Sequence, residues 1–221
     1  MALTDKLTAI ANAIRAKTGK TAKMTMAEMV TEIGNLSGAE NDIISGELSG
    51  EYTNDSVSML NNYALAYHSG LTSVSFPNVS SIPQYAFAGC SKLAAVNFPK
   101  AVQVRSYAFQ NNIFTSAVFP LMQTVENDGF YLCSKLKMLD LGQVTSIGSG
   151  AFYFGTSLSA VILRNTSKVC TIQSDTFSGS AIASGTGYIY VPDSLVDSYK
   201  AATNWSTYAA QIKPLSEYTE A

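Results

Sequence analysis

Apolar residues return along this chain with a period of about 22 residues. Tyr63-Ala64-Leu65 is followed by Tyr85-Ala86-Phe87, Tyr107-Ala108-Phe109, Asp128-Gly129-Phe130, Gly150-Ala151-Phe152 and Asp175-Thr176-Phe177. The key residues Leu65, Phe87, Phe109, Phe130, Phe152 and Phe177 are spaced by 22, 22, 21, 22 and 25 positions. Each copy runs into a short apolar segment, as in Leu71-x-x-Val74-x-Phe76-Pro77 and Leu93-x-x-Val96-x-Phe98-Pro99. Leu136-x-x-Leu139-x-Leu141 and Leu158-x-x-Val161-x-Leu163 continue the series. The copy after Phe109 is one residue short, with Phe114 standing for the first leucine. A second apolar point closes each unit, at Ile82, Val104, Val125, Ile147 and Ile172.

One such unit cannot bury its own apolar face. The pattern therefore predicts a solenoid whose stacked turns share a continuous core. Alternation within each segment predicts a strand whose x positions face outward. Pro77, Pro99 and Pro120 lack an N–H and mark where ladder pairing stops. About six turns, at a strand spacing of about 4.8 Å, make a rod of roughly 25–30 Å.

The flanks follow a different period. Leu7, Ile10, Ala11 and Ile14 lie on one helical face. Thr25-Met26-Ala27-Glu28 is a capping box, and Met26, Met29, Val30 and Ile33 form the apolar face of a second helix. Residues 1–36 are expected to form a helical hairpin for attachment or oligomerisation, because two such short helices are marginal alone. Residues 37–60 read as a linker and a first strand, and 61–192 as the solenoid. Residues 193–221 read as a helical cap. Asp193 is the expected N-cap. Leu195, Val196, Tyr199 and Ala202 cover the open end, and Trp205, Tyr208, Ala209 and Ile212 continue the helical spacing to Pro214.

Composition narrows the surface chemistry. Of the 221 residues, 47% are hydrophobic and only 14% charged, with a formal net charge of −2. Such a chain buries a core and leaves Ser, Thr, Asn, Gln and Gly to cover much of its outside. There is no excess of Lys and Arg to neutralise phosphates, so no nucleic-acid partner is expected. No apolar stretch approaches the roughly 20 residues that span a bilayer, so no membrane insertion is expected either. Asp5, Lys6, Thr8 and Asn12 interrupt any signal-like block at the start, and no signal peptide is expected.

The unit from Ile82 to Pro99, with Ala86-Phe87, Cys90, Leu93, Val96 and Phe98-Pro99 at its fixed points, resembles the BspA-type leucine-rich repeat. The likeness covers about 60% of the chain and is specific because it recurs. It implies an α+β, leucine-rich-repeat-like solenoid between the helical hairpin and the helical cap. The segment from Tyr188 to Lys200 resembles that family's terminal strand and helix. Residues 7–20, followed by Met24-Thr25-Met26-Ala27-Glu28-Met29, resemble a module of tail-associated structural proteins of phages and prophages of Gram-positive bacteria. The combination implies a virion component of a tail, baseplate or fibre, made in the host cytoplasm. Its implied partners are other virion proteins, further copies of itself in a homo-oligomer such as a trimer, and a host-surface protein or glycan. The alternative is a cell-surface or secreted repeat adhesin.

Candidate chemistry is sparse. His68 is the single histidine, and Cys90 and Cys133 share its repeat column. Turns about 4.8 Å apart put these two cysteines roughly 10 Å from each other, too far for a disulfide or a shared zinc ion. No cofactor or metal is expected. Glu126, Asp128, Asp140 and Asp175 are spread over three columns, as solvated positions are, and no catalytic residue is assigned. A recognition surface is expected on the outward strand column Ser75, Asn97, Val118, Asp140 and Ile162, with Lys137 and Met138 beside it. Tyr85 and Tyr107, in a tyrosine column with Tyr63, are added because aromatic rows offer large contact area at low entropy cost. The attachment face is expected on Leu7, Ile10, Ile14, Met26, Met29, Val30 and Ile33.

Overall fold

The computed structural model describes residues 49–219. The hairpin at 1–36 and its attachment residues Leu7, Ile10, Ile14, Met26, Met29, Val30 and Ile33 lie outside the described residues.

Each turn of the coil is built from three stretches of backbone, and each stretch pairs with the same stretch of the next turn except at one point on the strand face. The first makes the strand face: β1 (Ser49–Thr53), β2 (Gly70–Ser75) and β4 (Ala95–Asn97), then β6 (Ser116–Val118), β8 (Met138–Asp140), β10 (Ala160–Ile162), β11 (Tyr188–Val191) and β12 (Ile212–Pro214). Every pairing here is parallel, and the exception falls between β4 and β6. Register holds one inward column: Tyr52, Val74 and Val96, then Ala117, Leu139, Val161, Ile189 and Ile212. The second stretch makes a narrow sheet of β3 (Ser81–Ile82), β5 (Gln103–Val104), β7 (Thr124–Val125) and β9 (Ser146–Ile147). It buries Ile82, Val104, Val125 and Ile147.

The third stretch is the turn around each key aromatic. Its alternate N–H groups bond to the next turn: Tyr85 to Ser106 O, Phe87 to Ala108 O and Gly89 to Gln110 O. Those between fold back within the turn, as Ala86 N does to Pro83 O. This alternation comes from left-handed backbone in two columns. Tyr63, Tyr85, Tyr107, Asp128 and Gly150 occupy one, and Tyr67, Gly89, Asn111, Leu132, Phe154 and Gly179 the other, all with positive φ. Non-glycine residues adopt this region at a cost, and here bonds to the next turn, such as Tyr63 N to Gln84 O and Leu132 N to Tyr153 O, hold them in it.

The key aromatics stack through the centre. Phe87, Phe109, Phe130, Phe152 and Phe177 follow one another with ring centroids 5.5, 5.4, 5.8 and 5.2 Å apart. All five are fully buried. At roughly 1.5–3 kcal/mol for each phenylalanine withdrawn from water, this column is a main source of stability.

Eight strands line the face, so the coil has about eight turns where the repeat count predicts six. The two ends account for the difference. β1 and β12 lack the complete repeat unit, but each continues the ladder. Helix is scarce: the described residues contain one short α-helix, α1 (Val196–Ala201), and three 3-10 segments. The expected helical cap is mostly something else. Asn204 adopts φ 65°, which stops the helical path before Trp205. Ile212 then enters β12, where Gln211 O accepts from Ile189 N. An open sheet edge gains more from a pairing strand than from a helix laid beside it. Asp193 is not a side-chain cap; its Oδ1 instead accepts the Ser216 N–H at 3.1 Å.

The cap nevertheless seals the core. Trp205 and Tyr208 pack on Phe177 at 6.0 and 5.3 Å. Trp205 Nε1 donates to Cys170 O at 2.6 Å, Asn204 Nδ2 to Ile172 O at 2.8 Å, and Cys170 N to the Tyr199 hydroxyl at 3.0 Å. Backbone groups of the last turn thus find partners in the cap.

Candidate recognition surfaces

The expected recognition residues separate into two surfaces. On the strand face, register sets Ser116, Met138, Ala160 and Tyr188 in one outward row. The next outward row is Val118, Asp140, Ile162, Tyr190 and Lys213. Val118 is 53% exposed, but Asp140 and Ile162 are only 5% and 1% exposed. These two therefore do not line an open surface, contrary to the outward reading of their column. Asp140 Oδ2 receives Arg164 Nε at 2.7 Å and its Oδ1 receives Gly142 N at 3.0 Å. Strand alternation shows which way a side chain points, not what folds over it. Ser75 and Asn97 lie further along the face, half-buried and exposed, joined by Asn97 Nδ2 to Ser75 Oγ at 2.9 Å.

The first row forms the floor of a groove of about 710 Å³. Lys137, Thr115 and Ser159 border it on one side, and Tyr190, Tyr218 and Thr219 on the other. Ala160 is the small side chain between Met138 and Tyr188, so the row dips there. Tyr218 packs edge-on to Tyr190 at 5.0 Å, and Lys213 Nζ sits 5.2 Å from the centre of the Tyr188 ring. Sequence reasoning found Lys137 and Met138 but missed the tyrosines. The Tyr188-x-Tyr190 alternation was the available signal. Tyr218 had none, because only the turn after β12 brings it back.

Tyr85 and Tyr107 belong to the turn side. Tyr63, Tyr85 and Tyr107 stack at 4.8 Å and nearly parallel, and Tyr131, Tyr153 and Phe154 extend the row through tilted and edge contacts. Both faces of the Tyr85 ring are covered by its neighbours, which leaves edges and hydroxyls outward. The Tyr107 phenol bonds to Asp128, and that bond, with burial, holds its pKa up. Tyr67, absent from the expected set, is 72% exposed and lies over Gly89, where any Cβ would come within 2.6 Å of its ring.

The titratable groups have neighbours that explain their positions. Glu126 accepts from Gln103 Nε2 at 2.9 Å and from Ser106 N at 3.1 Å. Asp175 Oδ2 accepts from Ser149 Oγ at 2.6 Å. Cys90, Cys133 and Cys170 are free and buried. Burial pushes their thiols up, to about 11 for Cys90 and about 12 for the other two. His68, half-buried at its turn, places Nδ1 3.2 Å from Ala66 O.

A parallel coil with one strand per turn on its main face, a stacked aromatic core and a sealed end defines a leucine-rich-repeat type of solenoid. The chain belongs to the BspA type leucine rich repeat region family, whose model matches six copies over residues 58–183. The solved pneumococcal vaccine antigen PcpA is similar in fold, with a TM-score of 0.54 at 17% identity over 75% of this chain and 40% of that one. A leucine-rich-repeat protein of T. pallidum matches at 24% identity and TM-score 0.49, over 63% of this chain and 68% of that one. One from Bacteroides ovatus matches at 15% identity and TM-score 0.39, over 66% and 56%. No curated protein matches the chain.

Proposed function

We propose that this leucine-rich-repeat protein is a non-enzymatic recognition protein that binds a host surface through the groove on its strand face. The groove carries this reading. It combines a broad open floor, aromatic walls and hydroxyl groups, and its side chains need no rearrangement of the coil to meet a partner. The four carboxylates considered for catalysis are each engaged by a neighbouring side chain or backbone group, which supports structural roles for them.

The setting we favour is a phage or prophage virion, with residues 1–36 attaching the chain to other virion proteins or to further copies of itself. The likeness of residues 7–29 to tail-associated proteins supports it. The alternative is a cell-surface adhesin, and the fold shared with the pneumococcal vaccine antigen speaks for that. Binding of the labelled full chain to Gram-positive cells tests recognition. Met138→Glu should abolish binding while Tyr107→Arg, on the turn side, leaves it intact. Absence of binding, or equal loss in both variants, overturns the proposal. Immunogold microscopy of the producing culture tests the setting. Label on tailed particles supports the virion, and label on the producer's cell wall supports the adhesin.

A further inference from the structure

We infer that the strand-face groove takes an acidic polysaccharide, a linear sugar chain bearing carboxylates. This rests on the recognition reading above and names its ligand class. The first observation is charge. None of the residues lining the groove is Asp or Glu, and Lys137 stands at its border exposed. The ion pairs among the described residues are Arg105–Glu126, Arg164–Asp140 and Lys213–Glu217, so none of them uses Lys137. The carboxylate beside the groove, Asp140, is already held by Arg164. Lys213, over the Tyr188 ring at the far end, is likewise neutralised by Glu217, which leaves Lys137 as the uncompensated charge at the groove. A chain of net charge −2 thus presents a locally cationic groove, which favours an anion.

The second observation is the lining itself. Apart from Met138 and Ala160, the groove is made of serine, threonine and tyrosine with one lysine. A peptide anchored by apolar side chains would need apolar pockets, and the floor offers one shallow dip at Ala160. A sugar chain brings hydroxyls on its rim and flat C–H faces, which suit hydroxyl borders and tyrosine walls. The row from Ser116 to Tyr188 crosses four strands, about 14 Å at the usual strand spacing. That length holds a short run of sugar units. A nucleic acid would present one charge every few ångströms to a groove lined by one lysine, a poor match.

The test is titration calorimetry of the full chain with polygalacturonate, neutral dextran and poly-glutamate. Polygalacturonate should bind, more weakly as salt rises, and dextran at least about tenfold more weakly. Lys137→Gln should raise Kd for polygalacturonate by about tenfold, and Lys137→Arg should restore it. Lys137 is exposed, so unchanged melting temperatures of both variants should certify the fold. Equal binding of dextran, an unaffected Lys137→Gln variant, or poly-glutamate binding as tight as polygalacturonate would each overturn the assignment. Cell binding measured alongside separates the two proposals. Cells bound without competition by polygalacturonate retain the recognition reading and remove the acidic sugar; cells not bound remove the recognition reading.

Discussion

Asn112 and Cys133 occupy the same position in successive turns and make the same bond. Asn112 Nδ2 donates to Phe87 O at 2.8 Å, and Cys133 Sγ to Phe109 O at 3.0 Å. Cys90 Sγ does so to Leu65 O, also at 3.0 Å. The column is therefore defined by a small buried donor that satisfies the carbonyl of the key residue one turn back. Asn112 meets this demand with a surplus, since its buried Oδ1 has no hydrogen-bond partner. Asn112→Cys should then be neutral or slightly stabilising. Asn112→Val, which removes the donor, should cost about 1–3 kcal/mol. Urea denaturation of the two variants measures the difference, and equal costs would refute the donor role.

The cap makes a second prediction. Trp205 buries its whole ring against Phe177 and Tyr199 and donates to the last turn. Trp205→Ala should cost about 3–5 kcal/mol, because it opens a cavity and bares the end of the aromatic column. Trp205→Phe keeps most of the packing and loses the bond, so it should cost markedly less. Denaturation midpoints distinguish these; a milder Ala than Phe variant would show that the cap does not seal the core.

The core was legible in the sequence for a simple reason. Every turn must supply one bulky side chain to the same column, so Phe87, Phe109 and Phe130 recur at nearly fixed intervals. The ends were harder to read. The spacing of Trp205, Tyr208 and Ile212 suits a helix, but the demand of an unpaired edge is a tertiary effect and sent Ile212 into a strand. The positive φ of Tyr63, Tyr85 and Tyr107 was hidden too, because tyrosine has no preference for that conformation. Gly89, Gly150 and Gly179 in the same two columns were its sequence trace. On the candidate site, Lys137 and Met138 followed from alternation alone. The burial of Asp140 and Ile162 did not, since it depends on Arg164 and on packing from later turns.

Buried acids predict alkaline instability. Burial pushes the Cys133 thiol from 9.0 up to about 12, and the Tyr199 phenol from 10.0 up to about 12. The folded chain keeps protons that the unfolded chain has released at the same pH. Stability is therefore undiminished below about pH 9 and falls as pH rises from there toward 12. The thiols should also resist maleimide at about pH 8 until the chain is unfolded. Melting curves from neutral to alkaline pH and labelling with and without urea check both statements. Rapid native labelling would contradict the buried placement.

The short unit after Phe109 leaves a mark that hydrogen exchange can read. Between Asn112 and Phe114 stands one residue, where Cys90 and Leu93 are separated by two. The strand face divides at this point, and among the described residues no ladder joins β4 to β6. Phe76 N donates to Asn97 O at 3.0 Å and Phe119 N to Asp140 O at 2.8 Å. The equivalent bond from Phe98 is missing from the described set. The other two sides of the coil run on, with Val102 O receiving Gln123 N and Phe109 N reaching Gly129 O. The break is thus local. The Phe98 amide should exchange at least about tenfold faster than those of Phe76 and Phe119. Inserting one residue after Ile113 restores the unit to 22 positions, and should slow Phe98 exchange and raise the denaturation midpoint. The full-length unit lets β6 reach β4, so the gained bonds should outweigh the small entropy of one more loop residue. Exchange at Phe98 as slow as at Phe119 in the natural chain would show that the ladder is closed in solution. An insertion that destabilises the chain would show that the shorter spacing is itself part of the packing around Phe114.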